Sequence, residues 1–142
     1  GREFSVAVVD REAYPVIEIA AEGGFYDYQN KYNGLTKETC PADLSPEKTK
    51  EMQRIALEAA LAIHADTYCR MDMRMTKDGK IYCLEVNSLP GMTPTSLIPQ
   101  MAAAEGKSYG ELCEELIEIS LKKYEQTDTF DNGISYNPFS LS

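Results

Sequence analysis

Residues 68–93 read YCRMDMRMTKDGKIYCLEVNSLPGMT, and this stretch decides the fold of the chain. It contains two runs rich in apolar and aromatic residues around Asp78-Gly79, and that dipeptide is one of the strongest short-range signals for a β-hairpin. Side chains of successive strand residues point to opposite faces of a sheet. The stretch therefore predicts two antiparallel strands whose polar and apolar positions separate onto different faces.

The polar face of this hairpin carries acids, an amide and an arginine. A turn at Asp-Gly pairs Asp72 with Glu85 and Arg70 with Asn87, and the Cβ atoms of facing residues lie about 5 Å apart. Two carboxylates at that separation repel each other by roughly 3 kcal/mol at an effective dielectric constant near 20. A positive group is therefore expected between them. It is either a divalent metal ion, which takes carboxylate and amide oxygens as ligands, or a neighbouring arginine in a structural charge cluster.

The apolar face of the hairpin is predicted to lie on the core. Its members are Met71, Met73 and Met75 on the first strand and Leu84 and Val86 on the second. A polar loop with a Pro-Gly turn follows at 87–93, and this composition is typical of backbone that approaches a ligand closely. The loop shifts the balance towards the metal interpretation of the acidic pair.

The order and spacing of these polar residues resemble a known family. Arg-x-Asp at 70–72, Glu-x-Asn at 85–87 and a Pro-Gly-Met-Thr turn followed by Ser-Leu at 90–97 resemble the C-terminal part of the ATP-grasp D-alanine–D-alanine ligases. The similarity extends upstream to FYDYQNKY at 25–32 and to GREFSV at 1–6. Glu-x-Asn alone would indicate only some ATP-grasp enzyme, whereas the combination is specific.

The resemblance implies the fold and the extent of the domain. The fold class would be α+β, the C-terminal subdomain of an ATP-grasp enzyme, with a mostly antiparallel sheet and helices packed on one face. This subdomain would occupy residues 1–124 as a fragment of a longer ligase, because the family carries two further regions before this point. Residues 125–142 are polar and show no periodicity, so we expect a loosely ordered tail there.

The resemblance also implies roles for the polar face of the hairpin. Asp72, Glu85 and Asn87 would hold Mg²⁺ or Mn²⁺ against the phosphates of ATP, and Glu85 would also contact the nucleotide. Arg70 and the backbone N–H of Gly91 would stabilise the oxyanion of a tetrahedral intermediate, which is a role for preorganised donors.

A further part of the site follows from the same resemblance. Ser96 and the N–H of Leu97 would bind the carboxylate of the second D-alanine, although capping of the following helix by Thr93 or Thr95 is the simpler interpretation of these hydroxyls. Independently of the resemblance, residues 22–39 contain turn residues and show no helical or strand periodicity, so we expect a long surface loop that is poorly ordered or displaced without nucleotide.

In the family this loop closes over the site. Lys31 would contact the transferred phosphate and the nucleotide, and Tyr32 would help to order the substrates. The Lys-Tyr pair favours D-alanine as the second substrate.

The implied function is ATP-dependent joining of two D-alanines through an acyl phosphate, for peptidoglycan precursor synthesis. The partners would be D-alanine, ATP and the N-terminal and central regions of the same ligase, and a homodimer is possible for the full-length enzyme. The chain alone is expected to be inactive. The alternatives are a ligase of the D-Ala-D-Ser or D-Ala-D-Lac type, or a binding domain that kept the ATP-grasp fold and lost catalysis.

Composition narrows the class of protein further. The chain has 142 residues and a net charge of −9, which argues against a nucleic-acid partner because such proteins carry basic patches. No apolar run approaches the roughly 18 residues that a membrane span needs. The four cysteines lack C-x-x-C spacing and suit a reducing cytoplasm, so we expect Cys69 and Cys83 to be small buried residues.

The remaining elements follow from local patterns. Strands are predicted at 4–9 and 14–20, with Pro15 confining the second to an edge or a strand start. Ser45-Pro46 is an N-cap followed by a first-turn proline, and it opens a helix with an apolar stripe that reaches Ile63. A short helix is predicted between Thr93 and Gly106. Ser108-Tyr-Gly-Glu111 is a capping box that opens the last helix, whose inner side includes Leu112 and Ile117.

Overall fold

A computed structural model describes residues 1–21, 36–65 and 67–127 of the chain. These residues form six strands and three α-helices: β1 Arg2–Val9, β2 Glu12–Ala13, β3 Ile17–Ala21, β4 Thr36–Thr39, α1 Pro46–Ala62, β5 Tyr68–Met75, β6 Ile81–Asn87, α2 Leu97–Ala104 and α3 Tyr109–Thr127. The strand order is β4-β3-β1-β5-β6, with β2 paired to β1, and every pair is antiparallel. The predicted α+β class with an antiparallel sheet is confirmed.

Strand β1 is buried on both of its faces. Phe4, Val6 and Val8 pack with α1 in one core cluster, while Ala7 and Val9 pack with α2 and α3 in a second. Because alternate strand residues point to opposite faces, the helices cover both faces of the sheet. The expectation that all helices pack on one face is therefore wrong in this detail. A continuous apolar run such as positions 6–9 is typical of a strand covered on both sides.

Helix α1 closes the first face as predicted. The side chain of Ser45 accepts a hydrogen bond from the backbone N–H of Lys48 at 3.2 Å and caps the helix. Met52, Ala56 and Ala60 form the buried stripe, one residue per turn. Ile63, which was predicted at the end of this stripe, lies after the helix has ended and is exposed.

Two corrections concern the strands near the N-terminus. The predicted strand at 14–20 begins only at Ile17, as β3, and residues 14–16 belong to no strand, because the Pro15 ring leaves no N–H for a sheet ladder. The predicted loop at 22–39 ends earlier, because residues 36–39 form β4 and pair with β3. Residues 22–35, including the rest of the expected loop, lie outside the described part of the chain.

The central hairpin has the predicted register at the polar residues farther from its turn. Asp72 pairs with Glu85 and Arg70 pairs with Asn87, as the turn signal predicts. Nearer the turn the register shifts by one residue, with Met73 opposite Cys83, so that Leu84 forms a β-bulge. The acidic pair lies beyond the bulge, and its facing geometry is unaffected.

The bulge changes the surroundings of residues in β6. Leu84 is exposed, although the alternation predicts it on the core face, and Cys83 is exposed instead of buried. Cys69 on β5 is fully buried, as expected, together with Met71 and Met73. Each fully buried methionine of this kind stabilises the fold by roughly 1.5–3 kcal/mol relative to an exposed one.

The last helix begins with the predicted capping box. The Ser108 backbone N–H donates to the Glu111 carboxylate at 2.7 Å, and the Glu111 N–H donates to the Ser108 hydroxyl at 3.2 Å. Leu112 is buried, but the predicted inner residue Ile117 is exposed and Ile119 is buried in its place. Helix α3 continues to Thr127, and residues 128–142 of the expected tail lie outside the described part. None of the helices within the described ranges is long and apolar enough to cross a membrane.

Candidate active site

The second face of the sheet is only partly covered, and a cavity occupies the rest. Ala7 and Val9 at the end of β1 pack under α2 and α3, whereas Ser5, two residues earlier, lines the cavity. The cavity has a volume of about 930 Å³, at the upper end of the range for small-molecule sites. It brings together the seven described residues that were predicted for the site: Arg70, Asp72, Glu85, Asn87, Gly91, Ser96 and Leu97.

The first wall of the cavity, here called the hairpin wall, is built from β1, β5 and β6. Its centre is Asp72, which lies directly opposite Ser5 of β1. Asp72 Oδ1 accepts hydrogen bonds from Ser5 Oγ at 2.7 Å and Arg70 Nε at 2.8 Å, and Oδ2 accepts from Arg70 Nη2 at 2.8 Å. The side chains of Arg70 and Asp72 are 13% and 21% exposed, and Ser5 is fully buried. This network fixes the position of both charged groups.

The arginine alternative for the acidic pair is thus realised at Asp72. It does not remove the case for a metal, because a carboxylate has about four lone-pair sites and three are used here. Glu85 faces Asp72 across the hairpin and is exposed on the cavity side. Two carboxylates that share one side of the cavity are therefore still available to a cation.

Asn87 completes the oxygen donors of the hairpin wall. Its Oδ1 accepts a hydrogen bond from the Leu89 N–H at 3.1 Å, which orients the amide and leaves a second lone pair. The donor set of two carboxylates and one amide oxygen is the chemistry that Mg²⁺ prefers, since that ion usually keeps several waters and takes one or two carboxylates. The described ranges contain no group of three or more His, Cys, Asp or Glu side chains that could hold a metal ion, and the candidate set has only two acids beside its amide.

Leu84 is a residue of the hairpin wall that sequence reasoning missed. The bulge sets it beside Glu85, and 58% of its surface is exposed, although it is a large apolar side chain. No turn residue or glycine marks the bulge in the sequence, so alternation alone puts Leu84 on the wrong face. Its position gives a polar cavity an apolar patch.

The second wall, here called the loop wall, consists of residues 88–96 and the start of α2. Ser96 is the N-cap residue of α2, and its hydroxyl makes no capping bond within the helix. Instead, Ser96 Oγ accepts a hydrogen bond from the Thr93 N–H at 3.0 Å and lies 2.7 Å from Thr93 Oγ1. Thr93 and Thr95 are therefore not the N-cap, contrary to the simpler interpretation of these hydroxyls.

The start of α2 suits an anionic group. Leu97 is the first residue of the helix, so its N–H has no partner within the helix. The helix dipole adds partial positive charge at this end and favours a carboxylate there. Gly91 lies close to the same point, since a Cβ added to it would lie 3.2 Å from Ser96 Oγ. A side chain larger than that of glycine would therefore crowd Ser96, whose hydroxyl would have to shift by a few tenths of an ångström.

The rim of the cavity is tied to the strand that follows residues 22–35. The side-chain amide of Gln100 donates hydrogen bonds to the Glu38 carboxylate and, at 3.0 Å, to the Thr95 carbonyl. Glu38 belongs to β4, so this residue pair joins α2 to the strand that follows residues 22–35 in the chain. The predicted site residues Lys31 and Tyr32 lie outside the described part of the chain.

Most of the chain matches one family of known proteins. Residues 1–118 match the family model described as D-ala D-ala ligase C-terminus. D-alanine--D-alanine ligase from Methylacidiphilum infernorum is 40% identical over 125 residues, which are 87% of this chain and 41% of that protein. The chain thus spans about two fifths of the length of the curated relatives that it matches.

Solved structures that resemble this chain include ligases of the same kind. D-alanine--D-alanine ligase from Bacillus anthracis superposes with a TM-score of 0.76 at 36% identity, over 89% of this chain and 41% of that one. The same ligase complexed with ATP has a TM-score of 0.75 at 32% identity, over 89% of this chain and 40% of that one. VanG D-Ala:D-Ser ligase from Enterococcus faecalis has a TM-score of 0.69 at 32% identity, over 84% of this chain and 36% of that one.

Proposed function

The chain belongs to the D-ala D-ala ligase C-terminus family, and from this premise we propose that it is the C-terminal ATP-grasp part of a D-alanine–D-alanine ligase. The observation that carries the proposal is the shared cavity, in which metal-type oxygen donors on one wall face a carboxylate-type site on the other. The catalytic subdomain would reach the end of α3 at Thr127, three residues beyond the predicted boundary at 124, and residues 128–142 would follow it as a tail. The whole enzyme would be cytoplasmic and would use ATP and two molecules of D-alanine.

The hairpin wall is suited to phosphoryl transfer. Asp72, Glu85 and Asn87 would hold Mg²⁺ or Mn²⁺, and the ion would supply positive charge against the phosphate oxygens of ATP. Exposed Leu84 offers an apolar contact next to these donors, which suits the less polar part of a nucleotide. Lys31 would add a cation on the transferred phosphate. At this wall the carboxylate of the first D-alanine would take the γ-phosphoryl group of ATP, forming an acyl phosphate and releasing ADP.

The loop wall is suited to the second half of the reaction. Ser96 and the Leu97 N–H would bind the carboxylate of the second D-alanine, leaving its amine to attack the acyl carbon and displace inorganic phosphate. Arg70 and the Gly91 N–H would stabilise the oxyanion that forms there, and Tyr32 would help to order the substrates. Because Arg70 is already held by two hydrogen bonds to Asp72, little reorganisation would be needed as the charge develops.

The alternative acceptors remain the main competing function. A D-Ala:D-Ser ligase is among the structural relatives, at a lower TM-score than the D-alanine ligase. The Lys31-Tyr32 pair supports D-alanine over D-serine or D-lactate. A binding domain without catalysis is disfavoured, because every described position proposed for the chemistry carries a residue suited to its role.

The test is phosphate release from ATP by the full-length protein that carries this chain, with D-alanine, D-serine or D-lactate as acceptor. We expect release that requires D-alanine and Mg²⁺ and yields D-Ala-D-Ala. With D-alanine present as the donor, D-Ala-D-Ser or D-Ala-D-Lac as the main product would support the competing ligases, and no release with any acceptor would support a binding domain.

The 142-residue chain provides a second test. Its partners would be the N-terminal and central regions of the ligase, which would supply the other wall for adenine and the site for the first D-alanine; the full-length enzyme could also form a homodimer. We therefore expect no dipeptide formation and only weak ATP–Mg²⁺ binding by the chain alone, measured by calorimetric titration. Micromolar affinity or steady dipeptide synthesis would contradict the assignment of the chain as part of a larger site.

A further inference from the structure

The peptide group between Met92 and Thr93 is held from both sides. Its carbonyl oxygen accepts a hydrogen bond from Tyr109 Oη at 2.5 Å, and its N–H donates to Ser96 Oγ at 3.0 Å. A peptide group is planar and trans, so its oxygen and its N–H point in opposite directions. Tyr109 and Ser96 therefore hold opposite ends of one rigid unit.

Tyr109 comes from a different element and is itself well anchored. It is the first residue of α3, next to the capping box of Ser108 and Glu111. Leu112, three residues further on, is fully buried in the cluster that also packs against Met92. The hydroxyl of Tyr109 thus connects the second core to the middle of the loop wall.

The hydroxyl of Ser96 depends on this peptide. Ser96 Oγ accepts the Thr93 N–H and lies 2.7 Å from the Thr93 hydroxyl, where either oxygen can be the donor. When the Thr93 hydroxyl donates in this contact, the proton of Ser96 is available to a ligand; in the opposite arrangement the available proton is that of Thr93. If the peptide rotates, Ser96 Oγ loses a donor and its proton is no longer directed by the loop.

We propose that Tyr109 is a positioning residue for the second substrate: through the Met92–Thr93 peptide it orients the Ser96 hydroxyl that binds the acceptor's carboxylate. This inference rests on the proposed ligase function and deepens it, since it assigns part of the acceptor affinity to a side chain outside the cavity lining. Tyr109 touches neither substrate in this scheme. Its effect is on acceptor binding and not on the metal or the nucleotide.

The test is Tyr109→Phe in the full-length ligase, with separate constants measured for the two D-alanines and for ATP. We expect KM for the second D-alanine to rise about 3- to 10-fold, the size of one lost hydrogen bond, with kcat and KM for ATP little changed. Tyr82→Phe is the matched control, because Tyr82 is 46% exposed against 40% for Tyr109 and lies outside the cavity lining.

A double-mutant cycle shows whether Tyr109 acts through Ser96. If it does, adding Tyr109→Phe to Ser96→Ala leaves KM for the second D-alanine at the value of Ser96→Ala alone. The inference would be overturned by an unchanged KM for the second D-alanine in Tyr109→Phe, or by a double variant whose rise in KM is the product of the two single rises. A parallel loss of kcat and melting temperature in Tyr109→Phe would also overturn it. A wild-type protein without D-alanine-dependent phosphate release would instead overturn the ligase function.

Discussion

The hairpin wall and the loop wall line one cavity but are held in different ways. The charged groups of the hairpin wall lie on central strands, and Asp72 alone accepts three hydrogen bonds from neighbours that are mostly buried. The loop wall has no regular structure between β6 and α2, and it depends on single hydrogen bonds at Thr93, Ser96 and Tyr109. Asp72 and Arg70 are therefore held rigidly, while the acceptor site can be adjusted by changes in one loop.

The largest expected effect is on the exposed acid of the hairpin wall. Glu85→Gln should lower kcat of the full-length ligase by about 10²–10³-fold, since one charged group on the metal is lost. The melting temperature should hardly change, because Glu85 is exposed. Steady-state assays and thermal unfolding of the same samples measure both. A loss of stability equal to that of Asp72→Asn would show that the two acids have the same structural role.

Asp72→Asn should differ by destabilising the fold as well. It weakens the hydrogen bonds from buried Ser5 and from Arg70, and bonds of this charged type contribute about 1.5–3 kcal/mol. Denaturant unfolding gives the free energy of unfolding. Arg54→Gln is the control, because the exposed Arg54–Glu58 pair is worth about 0–1 kcal/mol.

Substitutions of two apolar residues on opposite faces of the hairpin should have different effects, one on the free energy of unfolding and the other on ATP binding. Met73→Ala should lower the free energy of unfolding by about 2–5 kcal/mol, since Met73 is fully buried under α1. Leu84→Ala should leave stability nearly unchanged and raise KM for ATP. If Leu84→Ala is instead as destabilising as Met73→Ala, the side chain belongs to a core and the apolar patch of the cavity is wrongly assigned.

A glycine pair tests the crowding of the loop wall. Gly91→Ala should raise KM for the second D-alanine a few-fold, because the new methyl group would lie 3.2 Å from Ser96 Oγ. Gly110→Ala is the control with the opposite sign. An added Cβ there meets nothing within 4 Å, and alanine is favoured over glycine in a helix by roughly 0.5–1 kcal/mol. Equal effects of the two substitutions would argue against close contact at Gly91.

The smallest effect concerns pH and the start of α3. The Ser108 backbone N–H, with help from its hydroxyl, lowers the pKa of the Glu111 carboxyl below its usual 4.5. A lowered folded-state pKa means that the stabilisation is complete above the unfolded-state value and is lost as pH falls through the folded one. As pH falls below 4.5 and through the lowered folded-state pKa, the melting temperatures of wild type and Glu111→Gln should therefore converge. A difference that grows on acidification would contradict the capping role.

Local chemistry was enough to predict several parts of this protein. The Asp-Gly turn and strand alternation place Asp72 opposite Glu85, because both signals act within one hairpin. Ser45 and Ser108 begin their helices for similarly local reasons. The grouping of the seven cavity residues came from the resemblance to a family, since spacing within single elements does not bring separate elements together.

Only the tertiary structure decided the rest. Three features depend on contacts between separate elements, and no local pattern marks them. They are the bulge at Leu84, the placement of α2 and α3 on the opposite face from α1, and the hydrogen bond from Tyr109 to Met92. Ser5 reads as an ordinary strand residue until β1 pairs with β5 and sets it against Asp72. Sequence patterns report which face of an element a residue occupies, whereas packing between elements determines what that face meets.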